Sequence, residues 1–78
     1  MLRKKRIDKI LDVRGLLCPV PTVMTNKALK EMKKGKTLQI ITNDITTKQA
    51  IPLLCVQEGY ELIDLNEKDG LLYFIVTR

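Results

Sequence analysis

Histidine and tryptophan are absent from this 78-residue chain, and cysteine occurs only twice. Without histidine there is no Cys–His or Ser–His nucleophilic pair, and a zinc site built on two thiolates would need acidic ligands to complete it. Aromatics make up only 4% (Tyr60, Tyr73 and Phe74), which leaves the core to Ile, Leu, Val and Met. No apolar run reaches the ~18–20 residues of a membrane span. The basic start, Arg3-Lys4-Lys5-Arg6, runs into Ile7-Asp8-Lys9 rather than into a signal-peptide hydrophobic region. Two cysteines do not make a secreted disulfide scaffold. These absences predict an intracellular, cytoplasmic protein.

A chain of this length makes one domain and buries only roughly 60–65% of its unfolded surface. Such a domain has little room for a deep pocket, so its chemistry is expected at a loop or an element end, shared with a partner protein. The formal charge is +5, and only +1 remains once Arg3 to Arg6 are set aside. The basic character therefore belongs to a flexible arm at 1–6, and residues 7–78 form a single domain.

Ile7, Leu11 and Val13 share one face at period two and predict a first strand ending at Arg14-Gly15. Met24, Ala28, Leu29 and Met32 then form an apolar helical stripe, with Lys27, Lys30 and Lys34 on another face. Pro19 and Pro21 mark the start of this helix, because the first turn has no N–H bonds to lose. Gly35 is placed to end it. Thr37 to Thr42 reads as a second strand. Thr46-Thr47-Lys48-Gln49 has the form of a capping box opening a second helix, kinked at Pro52 or starting near Ile51, and ended by Gly59. Glu61 to Glu67 and Leu71 to Val76 are strands joined by an Asp69-Gly70 hairpin turn. The predicted fold class is α/β: a two-layer sandwich, βαβαββ, in which a mixed four-stranded sheet carries two helices on one face.

The chemistry-bearing segment is Arg14-Gly15-Leu16-Leu17-Cys18-Pro19-Val20-Pro21. If Pro19 is the first helical residue, Cys18 is the N-cap. Its sulfur can then accept the Val20 amide, while Pro21 has no N–H to offer. A free cysteine is only about 3% thiolate at pH 7, and a helix N-terminus favours the anion. Arg14 is a second candidate support for that anion. The two prolines stiffen the turn and set where the sulfur points. A lone cysteine is nonetheless often just a buried apolar residue.

From Leu11 to Pro21 the chain resembles the TusA/SirA-like sulfur-carrier family, with its Cys-Pro-x-Pro motif. The similarity continues through Met32-Lys33-Lys34-Gly35, Asn43-Asp44, Ile51-Pro52 and Glu61-Leu62, spanning about residues 8–78. The resemblance implies that Cys18 accepts sulfane sulfur from a cysteine desulfurase or another donor protein, holds it as a persulfide, and passes it to a downstream acceptor protein. It implies a carrier in a relay rather than a stand-alone enzyme, with no cofactor beyond the covalent persulfide. Family routes lead to tRNA wobble-uridine thiolation, molybdenum-cofactor assembly, oxidative sulfur metabolism and selenium handling. Two positions depart from the family pattern. Val20 stands where an acidic residue is common, and Ile45 where proline is common. Both alter the surface a partner reads, and Val20 removes a negative charge beside the sulfur.

Other features have plainer readings. Cys55 shares an apolar stripe with Ile51 and Leu54 and reads as a core residue; a resolving thiol for Cys18 and a second sulfur site are the alternatives. Arg3 to Arg6 read as a solvated arm, and neither membrane nor direct nucleic-acid contact is expected. Lys27, Lys30, Lys33, Lys34 and Lys36 read as a solvated face, with docking of an acidic partner as the alternative. Met24 and Met32 read as core. Asp44 reads as turn and cap chemistry, with a place lining the Cys18 end of the sheet as the alternative. Two rival functions stay open: a non-catalytic protein- or RNA-binding regulatory module, and a thiol–disulfide protein using Cys18 and Cys55.

Overall fold

The computed structural model describes residues 7–78, so the basic arm expected at 1–6 lies outside the described residues. Six elements follow in order: β1 (Lys9–Asp12), α1 (Val20–Glu31), β2 (Thr37–Thr42), α2 (Thr47–Glu58), β3 (Glu61–Lys68) and β4 (Leu71–Thr77). The sheet runs β1-β2-β4-β3, with β1 parallel to β2 and β4 antiparallel to both its neighbours. This is the mixed four-stranded βαβαββ sandwich that the hydrophobic pattern predicts. Among the described residues, no helix is long and apolar enough to cross a membrane.

The central strands carry the core. Leu38, Ile40 and Thr42 of β2 pair with Val76, Phe74 and Leu72 of β4, and all six are buried. Strand side chains alternate between faces, so Gln39, Ile41, Tyr73 and Ile75 point to the opposite, half-exposed face. Both helices cover the first face. Ala28 and Leu29 of α1 and Ile51 and Cys55 of α2 join Leu38, Ile40, Leu72, Phe74 and Val76 in one cluster. β1 is shorter than the apolar pattern of Ile7 to Val13, but its flanks still pair with β2. Asp8 and Thr37 exchange two bonds, and the Val13 amide donates to the Ile41 carbonyl at 2.8 Å.

Two local expectations change, and for α2 one of two alternatives is selected. The buried face of α1 is Pro21, Thr25, Ala28 and Leu29, while Met24 is exposed and Met32 only packs against the core edge. Thr25 enters the core because its hydroxyl donates to the Pro21 carbonyl at 2.7 Å, which removes the cost of burying it. α1 stops at Glu31, so Gly35 and Lys34 lie beyond it, in a turn closed by the Lys36 amide on the Lys33 carbonyl. α2 passes through Pro52 from Thr47 to Glu58, its sixth position being the one without an N–H to donate. The hairpin turn has the expected chemistry: Asp69 and Gly70 have φ of 54° and 79°, the left-handed pair of a type I′ turn.

Phe74 is fully buried at the middle of β4. Phe74→Ala is expected to lower the unfolding free energy by about 3–5 kcal/mol, measured by urea denaturation.

Candidate functional site

Because β1 and β2 are parallel, the loops leaving their C-terminal ends lie side by side. One loop turns at Arg14-Gly15 and reaches Cys18; the other begins with Asn43-Asp44. The Gly15 amide donates to Asn43 Oδ1 at 2.9 Å. The Cys18 amide donates to Asp44 Oδ2 at 2.7 Å. Two adjacent side chains of one loop thus hold two amides of the other.

The second oxygen of Asp44 works on its own loop. Oδ1 accepts the Thr46 amide at 3.0 Å and the Thr46 hydroxyl at 2.7 Å. The Thr47 hydroxyl donates to the Asp44 carbonyl at 2.6 Å. The capping box expected at Thr46 is therefore replaced. The Thr46 side chain makes no cap bond to the helix, because its hydroxyl is turned to Asp44. The bonds from Thr46, first by its hydroxyl and then by its amide, with the Cys18 amide adding to them, hold the Asp44 carboxyl below its ordinary 3.8. Sequence reasoning gives Asp44 turn and cap chemistry first, with a place at the Cys18 end of the sheet as the alternative, and the structure shows both. An Asn-Asp pair at a strand end signals such chemistry, but spacing alone does not reveal a bond to a residue 26 positions away.

The start of α1 differs from the expected geometry. Val20 is the first helical residue and Pro19 the N-cap, so Cys18 lies one position further out. The Cys18–Pro19 peptide bond is cis. The Val20 amide donates to the Leu17 carbonyl at 2.9 Å, so it closes the turn around Cys18 instead of capping onto the sulfur. Pro21, at the second helical position, is buried and roots the helix start in the core. The hydroxyl oxygen of Thr22, one turn after Cys18, is buried without a hydrogen-bond partner among the described residues.

Arg14 is also placed otherwise than expected. Its Nη2 lies 2.7 Å from Asp12 Oδ2, and its Nε bonds the same carboxylate at 2.9 and 3.2 Å. This fork engages the cation that was the candidate support for the sulfur anion, and its side-chain bond holds the Asp12 carboxyl below the usual range.

Cys18 is exposed and Cys55 is buried, and both thiols are free. Burial pushes the Cys55 thiol above its ordinary 9.0. Along the two loops and the start of α1, Leu16, Leu17, Val20, Val23 and Ile45 are exposed, Leu17 by 75%. A cavity of about 370 Å³ lies elsewhere, where both helices end, lined by Lys30, Lys34, Glu58, Gly59, Tyr60 and Arg78. There Arg78 donates to the carbonyls of Lys30 and Met32, so its cation answers the negative end of α1.

The family model described as Sulfurtransferase TusA matches residues 9–78. The chain belongs to the TusA family. It is 39% identical over 70 residues to a protein named Sulfur carrier protein TusA from Pseudomonas aeruginosa (strain LESB58), covering 88% of this chain and 89% of that one. A protein of the same name from Buchnera aphidicola subsp. Baizongia pistaciae is 34% identical over 71 residues, covering 91% and 90%. Among solved structures, a SirA-like protein from Desulfitobacterium hafniense superposes with a TM-score of 0.80, covering 88% of this chain and 95% of the other at 24% identity. That likeness establishes the shared fold.

A bulky thiol reagent added to the native protein is expected to modify Cys18 alone and to reach Cys55 only after denaturation, as counted by mass spectrometry. A carboxyl whose folded-state pKa is depressed stabilises the fold fully above its unfolded value and loses that contribution as pH falls through the lower folded value. Asp44→Asn is therefore expected to reduce stability at neutral pH and to flatten its decline below pH 3.8, followed by thermal unfolding across the acid range.

Proposed function

We propose that this chain is a sulfur carrier that holds sulfane sulfur as a persulfide on Cys18 and relays it between two proteins. The observation that carries the reading is the placement of Cys18, an exposed thiol at the opening of α1, on a chain that belongs to the TusA family. Relatives named sulfur carriers support it.

In the loading step the Cys18 thiolate attacks the outer sulfur of a donor protein's persulfide. A new S–S bond forms at Sγ, the donor's S–S bond breaks, and the donor cysteine leaves as thiolate. In delivery an acceptor thiolate attacks the outer sulfur, and Cys18 leaves as thiolate. Each step is an exchange at sulfur with no net oxidation, so no redox cofactor is needed. Pro19 occupies the N-cap position next to Cys18, Pro21 is buried in the first turn, and Val20 closes the turn through its amide.

An open site of this kind suits exchange between proteins. A partner reaches Sγ without entering a cleft, and the apolar rim of Leu17, Val20, Val23 and Ile45 gives it a surface to exclude water around the exchanging sulfurs. The donor is a cysteine desulfurase or another persulfide-bearing protein. The acceptor's product is a thiolated tRNA, a sulfur-containing cofactor or an intermediate of sulfur metabolism.

Incubation with a cysteine desulfurase and cysteine is expected to add ~32 Da to Cys18, seen by mass spectrometry. Cys18→Ser is expected to take up none, and uptake by that variant would refute the assignment.

A further inference from the structure

The loop from Arg14 to Cys18 is shaped by local bonds and placed by distant ones. Leu16 donates to the Val13 carbonyl and Val20 to the Leu17 carbonyl, so these two bonds define turns without locating them on the protein. Location comes from Asn43 on the Gly15 amide and Asp44 on the Cys18 amide. Pro19 has no N–H to add a further hold, and Leu17 projects into solvent. The bond at the cysteine itself is therefore the one to Asp44.

We propose that Asp44 is the positioning residue of the sulfur site, its carboxylate fixing the Cys18 backbone and hence the direction in which Sγ is presented. This deepens the carrier reading and rests on it for its functional consequence. The carboxylate is suited to the task because it is acceptor-only. Cys18 donates to one oxygen, and Thr46 donates twice to the other. An asparagine there offers one oxygen and one NH2 group, so one set of donors would face another donor. The start of α2 and the sulfur loop are thereby tied to the same group, and Asp44 acts on sulfur exchange only through the placement of Cys18.

The test uses the full chain and three proteins: wild type, Asp44→Asn and Thr46→Val. Thr46→Val removes one bond at the α2 end of the carboxylate and leaves the Cys18 bond intact, so it controls for loss of stability. Sulfur uptake by Cys18 from a cysteine desulfurase with cysteine is timed by mass spectrometry. Asp44→Asn is expected to slow uptake by about tenfold, the scale of one lost hydrogen bond to a charged acceptor. Thr46→Val is expected to load near the wild-type rate. In parallel, the Cys18 and Thr46 amide resonances of wild type are followed as pH falls through the carboxylate range. They are expected to shift together, with one midpoint, and the Cys18 shift is expected to vanish in Asp44→Asn.

Uptake by Asp44→Asn at the wild-type rate, or equal losses in both variants, would overturn the positioning role. So would a Cys18 amide that does not follow the Asp44 titration, a measurement that stands even if Asp44→Asn does not fold. If wild type takes up no sulfur while the two amides do titrate together, the carrier reading fails and the Asp44 hold on Cys18 stands.

Discussion

Three hydrogen-bond donors converge on the carboxylate of Asp44, and the arrangement of the candidate site follows from that convergence. Parallel pairing of β1 with β2 brings two loops together beyond the end of the sheet. Polar bonds hold them there. One oxygen takes the amide of Cys18 and the other takes both donors of Thr46. The same group thus starts one helix and steadies the approach to the other. Asn43 adds a parallel hold at Gly15, so the two loops behave as one platform.

The charges around the exposed sulfur are largely answered by one another. Asp44 is surrounded by donors, and Arg14 is closed onto Asp12 in a forked contact. The amide of Val20, two residues after Cys18, is engaged by the Leu17 carbonyl. Among the described residues, neither a hydrogen bond nor an ion pair reaches the Cys18 side chain. The bond that determines how the sulfur is presented reaches the backbone of Cys18 and leaves the side chain free.

The sheet was legible in the sequence because its signals are local and strong. β2 and β4 alternate between buried and half-exposed positions, and Asp69-Gly70 can hardly be read as anything but a hairpin turn. The helices were legible in number and order but less so in detail. Thr25 displaced Met24 from the core because a hydroxyl can be satisfied within its own helix, which a count of apolar residues does not register. The capping box failed for a related reason, since Thr46 found a better acceptor in Asp44 than a helix amide would have been as a donor. Cys18 was picked out by its place before Pro19 and Pro21. Its bond to Asp44 was not, because it joins residues that only strand pairing makes neighbours. Arg14 was misplaced because two residues upstream lay a carboxylate within easy reach of its fork.

The openness of Cys18 carries a cost for any cargo it holds. Among the described residues neither lid nor cleft encloses a group bound there, and the other cysteine, Cys55, is sealed in the core. Small cellular thiols can approach it as freely as a protein acceptor does. Fidelity on such a scaffold becomes a matter of timing: the load must be passed on by docking faster than it leaks away in solution.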